Sequence, residues 1–159
     1  MPDKPTFPLV IGNAIFAEDI RSESNGKFSI LGVYSGDILV QEMTGFLRGA
    51  VYLELTSRKL GRMGVKVDAY LDKDLIFSAD GLLDVKNNHD PAVFHVPTFP
   101  IALVGPGDIS IYVTCEGVRR RALVKSVKKA DLKAVARARE ASEKSLARPA
   151  RTSRRARSS

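Results

Sequence analysis

The sequence predicts an all-β protein: an antiparallel β-sandwich of about eight strands, followed by a short C-terminal helix and a disordered basic tail. Short runs rich in Val, Ile, Leu, Phe and Tyr alternate with Gly, Asn and Asp between residues 9 and 127. No helical periodicity separates these runs, and a parallel sheet would need long crossovers. Several runs are apolar on one face only, which favours a sandwich over a closed barrel.

The predicted boundaries follow changes in composition. Residues 1–8 contain three prolines and predict an extended arm, whereas residues 9–128 contain the predicted strands of one β-sandwich domain. Residues 129–148 predict a helix, and residues 149–159 an Arg-rich tail that cannot bury a core. Cys115 is the only cysteine, so an internal disulfide is excluded and the apolar core must provide the stability.

The clearest hairpin signal is Asn25-Gly26, which lies between a run from Leu9 to about Glu23 and a run from Lys27 to Tyr34. Asn and Gly both tolerate positive φ, so the pair predicts a tight type I′ turn. Both faces of the second run are fairly apolar, which favours a central strand. A turn at 35–37 then leads into a short strand, Ile38–Val40.

The later strands are predicted from the alternation of apolar and polar residues. In Val65–Leu71 the apolar positions share one face, and Lys66, Asp68 and Tyr70 share the other. The same reasoning applies to Ala50–Thr56, Leu75–Ala79, Val93–Val96, Ile101–Val104, Ile109–Cys115 and Val118–Val127.

A helix is predicted to begin near Ala130-Asp131, because Asp131 can cap the amides of a first turn. Leu132, Val135 and Ala136 form a narrow apolar stripe. Pro149 ends the pattern. With so few large apolar residues, we expect the helix to be loosely docked or free.

The positive charge is concentrated near the C-terminus. Residues 121–159 contain 13 of the 25 Lys and Arg residues, so the rest of the chain is slightly acidic. Such a tail predicts sequence-independent contacts with nucleic-acid phosphates, and a solvated arm is an equally good interpretation. The candidate contacts are Arg148, Arg151, Arg154, Arg155 and Arg157.

No catalytic, metal-binding or cofactor-binding residue is assigned from the sequence. Gly105-Pro106-Gly107 leads into a strand rather than a helix, so it predicts a turn and not a dinucleotide site. Asp72, Asp74, Asp80 and Asp84 lie close together, but their spacing does not match an EF-hand loop. The two histidines, His89 and His95, occur in no local catalytic motif.

Asp19 and Arg21 form the one constellation that we single out inside the predicted domain. Glu18 and Asp19 point to opposite faces of a strand, whereas Asp19 and Arg21 share a face. A bidentate ion pair between them predicts a structural clamp at the end of the sheet. A ligand site is the alternative interpretation.

The segments Ile15-Phe16-Ala17-Glu18-Asp19-Ile20-Arg21 and Asn25-Gly26-Lys27-Phe28-Ser29-Ile30-Leu31-Gly32-Val33-Tyr34 resemble the opening of a family of small bacterial and phage proteins, classed as a domain of unknown function. The similarity covers residues 14–34. Residues 45–49 depart from the family's proline-and-leucine pattern, and the basic tail is an addition. The resemblance implies a compact β domain and assigns no reaction.

These observations predict a non-enzymatic protein that binds a protein partner or another copy of itself, because unpaired strand edges suit strand addition. A nucleic-acid-associated protein is the alternative, and an enzyme of unrecognised type is third. The longest apolar stretch, Leu9–Ala17, is too short to cross a bilayer and makes a poor signal peptide. We therefore expect no membrane association, a cytoplasmic location and no cofactor.

Overall fold

The computed structural model describes residues 6–133 and 136–137, and within them nine strands form a four-stranded sheet and a five-stranded sheet. The strands are β1 (Leu9–Ser22), β2 (Phe28–Val33), β3 (Ile38–Val40), β4 (Gly45–Ser57), β5 (Gly61–Leu71), β6 (Asp74–Val85), β7 (Ala92–Leu103), β8 (Gly107–Cys115) and β9 (Val118–Lys129). The all-β prediction is confirmed.

The two sheets differ in strand order and in one strand direction. The four-stranded sheet has the order β2-β1-β4-β7, and the five-stranded sheet has the order β3-β9-β8-β5-β6. Every pair is antiparallel except β3 and β9, which run in parallel from Ile38 opposite Val127 to Val40 opposite Lys129. The purely antiparallel prediction is wrong here. Five strands separate β3 from β9 in the chain, so no tight turn imposes an antiparallel direction on them.

One hydrophobic core is built from side chains of both sheets. The four-stranded sheet contributes Phe16, Leu53 and Ile101, which are fully buried. Val67 and Ile111 of the five-stranded sheet belong to the same cluster. Burial alternates residue by residue along β8, as it must in a strand with one face on a core and one face outward.

The strand predicted to be central, β2, is an edge strand, and among the described strands it pairs only with β1. The apolar residues on its two faces have different surroundings, and neither face requires a second neighbouring strand. Phe28 packs against the rings of Tyr52 and His95, at centroid distances of 5.7 Å and 4.8 Å, whereas Leu31 and Val33 are exposed. Apolar residues on both faces therefore do not require a neighbouring strand on both sides.

The segments predicted as two strands, Val93–Val96 and Ile101–Val104, belong to one long strand, β7. Pro97 and Pro100 lie inside it, between the two predicted segments. Proline removes a backbone donor, so it is tolerated in a strand whose outer edge needs no partner. β7 is such an edge strand of the four-stranded sheet.

The turn at Asn25-Gly26 joins β1 to β2 but is not type I′. Gly26 has φ +77°, whereas Asn25 is not in the positive-φ region. The Gly26 amide donates to the Glu23 carbonyl (3.0 Å), and the Glu23 amide donates to the Lys27 carbonyl (2.8 Å). This is a three-residue loop ending in a left-handed glycine, which is the next most common kind of hairpin connection.

The predicted helix 129–148 lies largely outside the described residues. Its first predicted residue, Lys129, is instead the last residue of β9, and the compact unit formed by the strands ends there. Beyond it, Oδ1 of Asp131 accepts a hydrogen bond from the Lys133 amide (3.0 Å), the contact expected of an N-cap. The predicted tail, residues 149–159, lies entirely outside the described residues.

Candidate functional site

The outer edge of β6 is the longest open edge of the five-stranded sheet. β6 has 12 residues and contains no proline, and it pairs on one side only, with β5. Leu75 and Leu82 on this strand are 53% and 73% exposed. Phe94 and Phe99 of β7 pack on its inner face, where they contact Gly81 and Phe77. No backbone hydrogen bond from another described strand reaches its outer edge.

The other open edge of the same sheet belongs to β9. The pairing with β3 covers only Val127–Lys129. Residues 118–126 are bonded to β8 on one side, and no other described strand pairs with them on the opposite side. The five-stranded sheet therefore has two long edges with unpaired backbone groups, one at each side.

The two edges carry opposite charge. β6 contains Asp74, Asp80 and Asp84 and no lysine or arginine, whereas residues 118–126 contain Arg119, Arg120, Arg121 and Lys125 and no acid. On the outer face of β6, Asp80 and Asp84 alternate with Leu82. On the outer face of β9, Arg119 and Arg121 are followed, after a bulge, by Val124 and Ser126.

These charges lack ionic partners in the part of the chain that the structure describes. Its four ion pairs are Asp19–Arg21, Lys59–Glu116, Lys66–Asp68 and Asp37–Lys128, and none includes an aspartate of β6 or an arginine of β9. Lys66 lies opposite Asp80 in the sheet, yet its Nζ atom is 3.7 Å from Oδ1 of Asp68. Arg62 lies opposite Asp84 without forming an ion pair.

Arg119 is held against two aromatic rings on the outer face. Its guanidinium carbon is 3.9 Å from the ring centroid of Tyr112 and 4.8 Å from that of Tyr70. The two tyrosine rings meet edge to face, 5.8 Å apart. Such stacking orders the arginine while leaving its hydrogen-bond donors available at the rim of the ring.

The remaining edges are less suited to accept a strand. β7 carries Pro97 and Pro100 within the strand, and Pro91 lies directly before it. β3 has three residues and β2 has six, and both are shorter than β6. Proline and short length are the usual means by which natural sheets keep an edge unpaired.

Asp19 and Arg21 are in contact at the surface, but their ion pair is not bidentate. Only Nε of Arg21 meets Oδ2 of Asp19, at 2.8 Å, and the Arg21 side chain is 67% exposed. The other carboxylate oxygen, Oδ1, accepts a hydrogen bond from the hydroxyl of Thr98 on β7. The Thr98 bond and then the Arg21 bond lower the pKa of Asp19. The carboxylate therefore links β1 to β7, a partner that local spacing cannot reveal.

The other groups considered in the sequence are dispersed. Oδ1 of Asp72 accepts a hydrogen bond from the Asp108 amide (2.9 Å), which joins the β5–β6 turn to the start of β8. His95 packs against Phe28, and Cys115 is buried, which raises the pKa of its thiol. Among residues 6–133 and 136–137, no three His, Cys, Asp or Glu side chains are grouped so as to hold a metal ion.

The arginines predicted to contact nucleic acid lie outside the described residues: Arg148, Arg151, Arg154, Arg155 and Arg157. The structure instead draws attention to Arg119 and Arg121, which sequence reasoning placed in a strand without a role. The sequence did contain a signal for this charged edge, namely the run of three consecutive arginines at 119–121. Because successive side chains of a strand point to opposite faces, such a run must place charge on both faces.

By its fold, the chain is an all-β protein with two sheets, and the five-stranded sheet has two open edges of opposite charge. Comparison with protein-family models and with curated proteins finds no match to this chain. The resemblance over residues 14–34 therefore stays a prediction. In the described part of the chain, no helix has the length and apolar character needed to cross a membrane.

Proposed function

We propose that the protein is a non-enzymatic, cytoplasmic β-sandwich that acts by self-association, through strand addition at the open edges of its five-stranded sheet. The observation that carries this proposal is the outer edge of β6: 12 residues without proline, unpaired on one side among the described residues. Alternate residues of an edge strand direct their backbone N–H and C=O groups to the open side, so a long edge is a template for pairing.

The exposed side chains of β6 support the same proposal. Leu82 lies between Asp80 and Asp84 on the outer face and is 73% exposed, so it presents apolar surface next to the open edge. An added strand would cover part of this side chain and remove apolar surface from water. Natural edges that must stay unpaired more often present a lysine.

Size-exclusion chromatography with light scattering, over a range of concentrations, tests the proposal. We expect the apparent mass to rise with concentration in the unaltered protein. Leu82→Lys should lower this association, because it places a charge in the apolar part of the contact. Val104→Lys is the matched control, since Val104 is 88% exposed in a turn and lies on no edge. A protein that stays monomeric at every concentration would overturn the proposal.

A second candidate function, association with nucleic acid, is favoured by the composition of residues 130–159. This segment contains nine Lys and Arg residues and three acids. Clustered basic residues supply sequence-independent contacts to phosphates, and such binding weakens steeply with salt. The truncation described in the Discussion separates this function from self-association.

A further inference from the structure

We infer that copies of this chain associate head to tail, with the β6 edge of one copy pairing with the β9 edge of the next. This inference rests on the proposed self-association and adds which two surfaces meet. A partner strand can join the five-stranded sheet at either side, so the question is which pairing the side chains permit.

Charge decides between the pairings. A β6–β6 contact would bring Asp80 and Asp84 of two copies together, and a β9–β9 contact would do the same for Arg119 and Arg121. Like charges on paired strands are destabilising, whereas opposite charges are stabilising. The β6–β9 contact is the one that joins an acidic edge to a basic one, and these charges have no ionic partners among the described residues.

The apolar positions agree with the same pairing. An antiparallel register that places Asp80 opposite Arg119 also places Leu75 opposite Val124, because the irregularity of β6 between Leu75 and Phe77 then lies beside that of β9 between Arg121 and Leu123. Leu75 and Val124 are both exposed hydrophobic residues. The open part of β9, residues 118–126, spans about 30 Å; in this register residues 74–81 of β6 lie along it, and Val127–Lys129 stay paired with β3.

The pairing has a definite consequence for assembly. Because the two surfaces differ, each added copy leaves one β6 edge and one β9 edge available. A contact of this heterologous kind gives a closed ring or an open filament, and it does not stop at a dimer unless the ring has two members.

Charge reversal of one edge at a time tests the inference. The β6-reversed variant carries Asp80→Lys and Asp84→Lys, so both of its edges are basic. The β9-reversed variant carries Arg119→Glu and Arg121→Glu, so both of its edges are acidic. We expect each variant alone to associate at least about tenfold more weakly than the unaltered protein. Their equimolar mixture should regain association, because every β6 then meets a β9 of opposite charge.

A control variant keeps the change in net charge but spares the edges. The control carries Lys27→Glu, in the first hairpin, and Arg48→Glu, on β4 of the four-stranded sheet. These two substitutions change the net charge by the same amount as those of the β9-reversed variant. This control should associate like the unaltered protein. Circular dichroism and the melting temperature establish that each variant is folded.

The outcomes separate this inference from the function on which it rests. If the unaltered protein associates and the β9-reversed variant associates equally well, the contact does not use β9, and the head-to-tail inference is overturned while self-association stands. Failure of the mixture to associate also overturns it. If the unaltered protein is monomeric at every concentration, the proposed function itself is overturned.

Discussion

The hydroxyl of Thr98 on β7 donates a hydrogen bond to the carboxylate of Asp19 on β1, although β4 lies between these two strands in the sheet. The contact is made where β1 no longer pairs with β4, beyond Ala17 opposite Ala50. The Thr98 oxygen is also 3.2 Å from the carbonyl oxygen of Glu18. The bond therefore joins the projecting β1–β2 hairpin to the rest of the sheet.

We predict that Asp19→Ala and Thr98→Val each lower the melting temperature, and that the double variant loses less than the sum, because both substitutions remove the same hydrogen bond. Replacing Arg21 with Gln should have a smaller effect, since an exposed ion pair contributes little. The pKa of Asp19 lies below its ordinary value of 3.8, so this stabilisation is present above pH 3.8 and is lost as the pH falls through the lowered pKa. Strict additivity of the two substitutions would show that the bond does not stabilise the fold.

Gly26→Val should destabilise the protein by about 1 to 3 kcal/mol, because a β-branched residue tolerates a positive φ badly. No atom lies within 4 Å of the position that a Cβ would occupy, so the effect must come from the backbone conformation and not from a clash. Gly36→Val is the control, since Gly36 is also open to solvent but does not have a positive φ. Equal stability of the two variants in thermal denaturation would contradict this account.

Tyr34 should ionise at a pH well above the ordinary range of a tyrosine, because its pKa is raised. Burial, and then the nearby carboxylate of Glu18, raise its pKa from 10 to about 12. A raised pKa stabilises the folded state up to pH 10, and the stabilisation is lost between pH 10 and about 12, as the unfolded chain ionises first. Ultraviolet absorbance of tyrosinate should show a late step that Tyr34→Phe removes and Glu18→Gln shifts to lower pH. A late step that persists in Tyr34→Phe would assign the high pKa to another tyrosine.

A chain ending at Lys129 should keep nearly the full melting temperature, because every described strand is complete at that residue. Ending at Lys128 instead would remove the residue that pairs with Val40. The shortened chain should lose affinity for duplex DNA, and binding by the full chain should weaken steeply with salt. DNA binding that survives the truncation and is insensitive to salt would place the nucleic-acid site on the sheets.

Local patterns in the sequence predicted most strands, because residues such as Val65, Val67 and Ala69 must alternate with polar ones when one face of a strand is buried. They did not predict strand order. Whether Phe28–Val33 lies at an edge, or whether Ile38–Val40 runs parallel to its neighbour, depends on contacts between distant parts of the chain. The two charged edges could not be recognised for the same reason: Asp80 and Arg121 become edge residues only when the order of the five strands is known.

The position of β9 also bears on how the protein folds. The last described strand, β9, lies between β3 and β8, so among the described strands β3 has no partner in the five-stranded sheet until residues 127–129 have been synthesised. The chain also passes between the two sheets several times before that point. Folding of this kind depends on contacts that are distant in sequence and is slow for a chain of this size. A ribosome that pauses before β9 would hold an incomplete sheet, with the edge of β8 open to the strands of other chains.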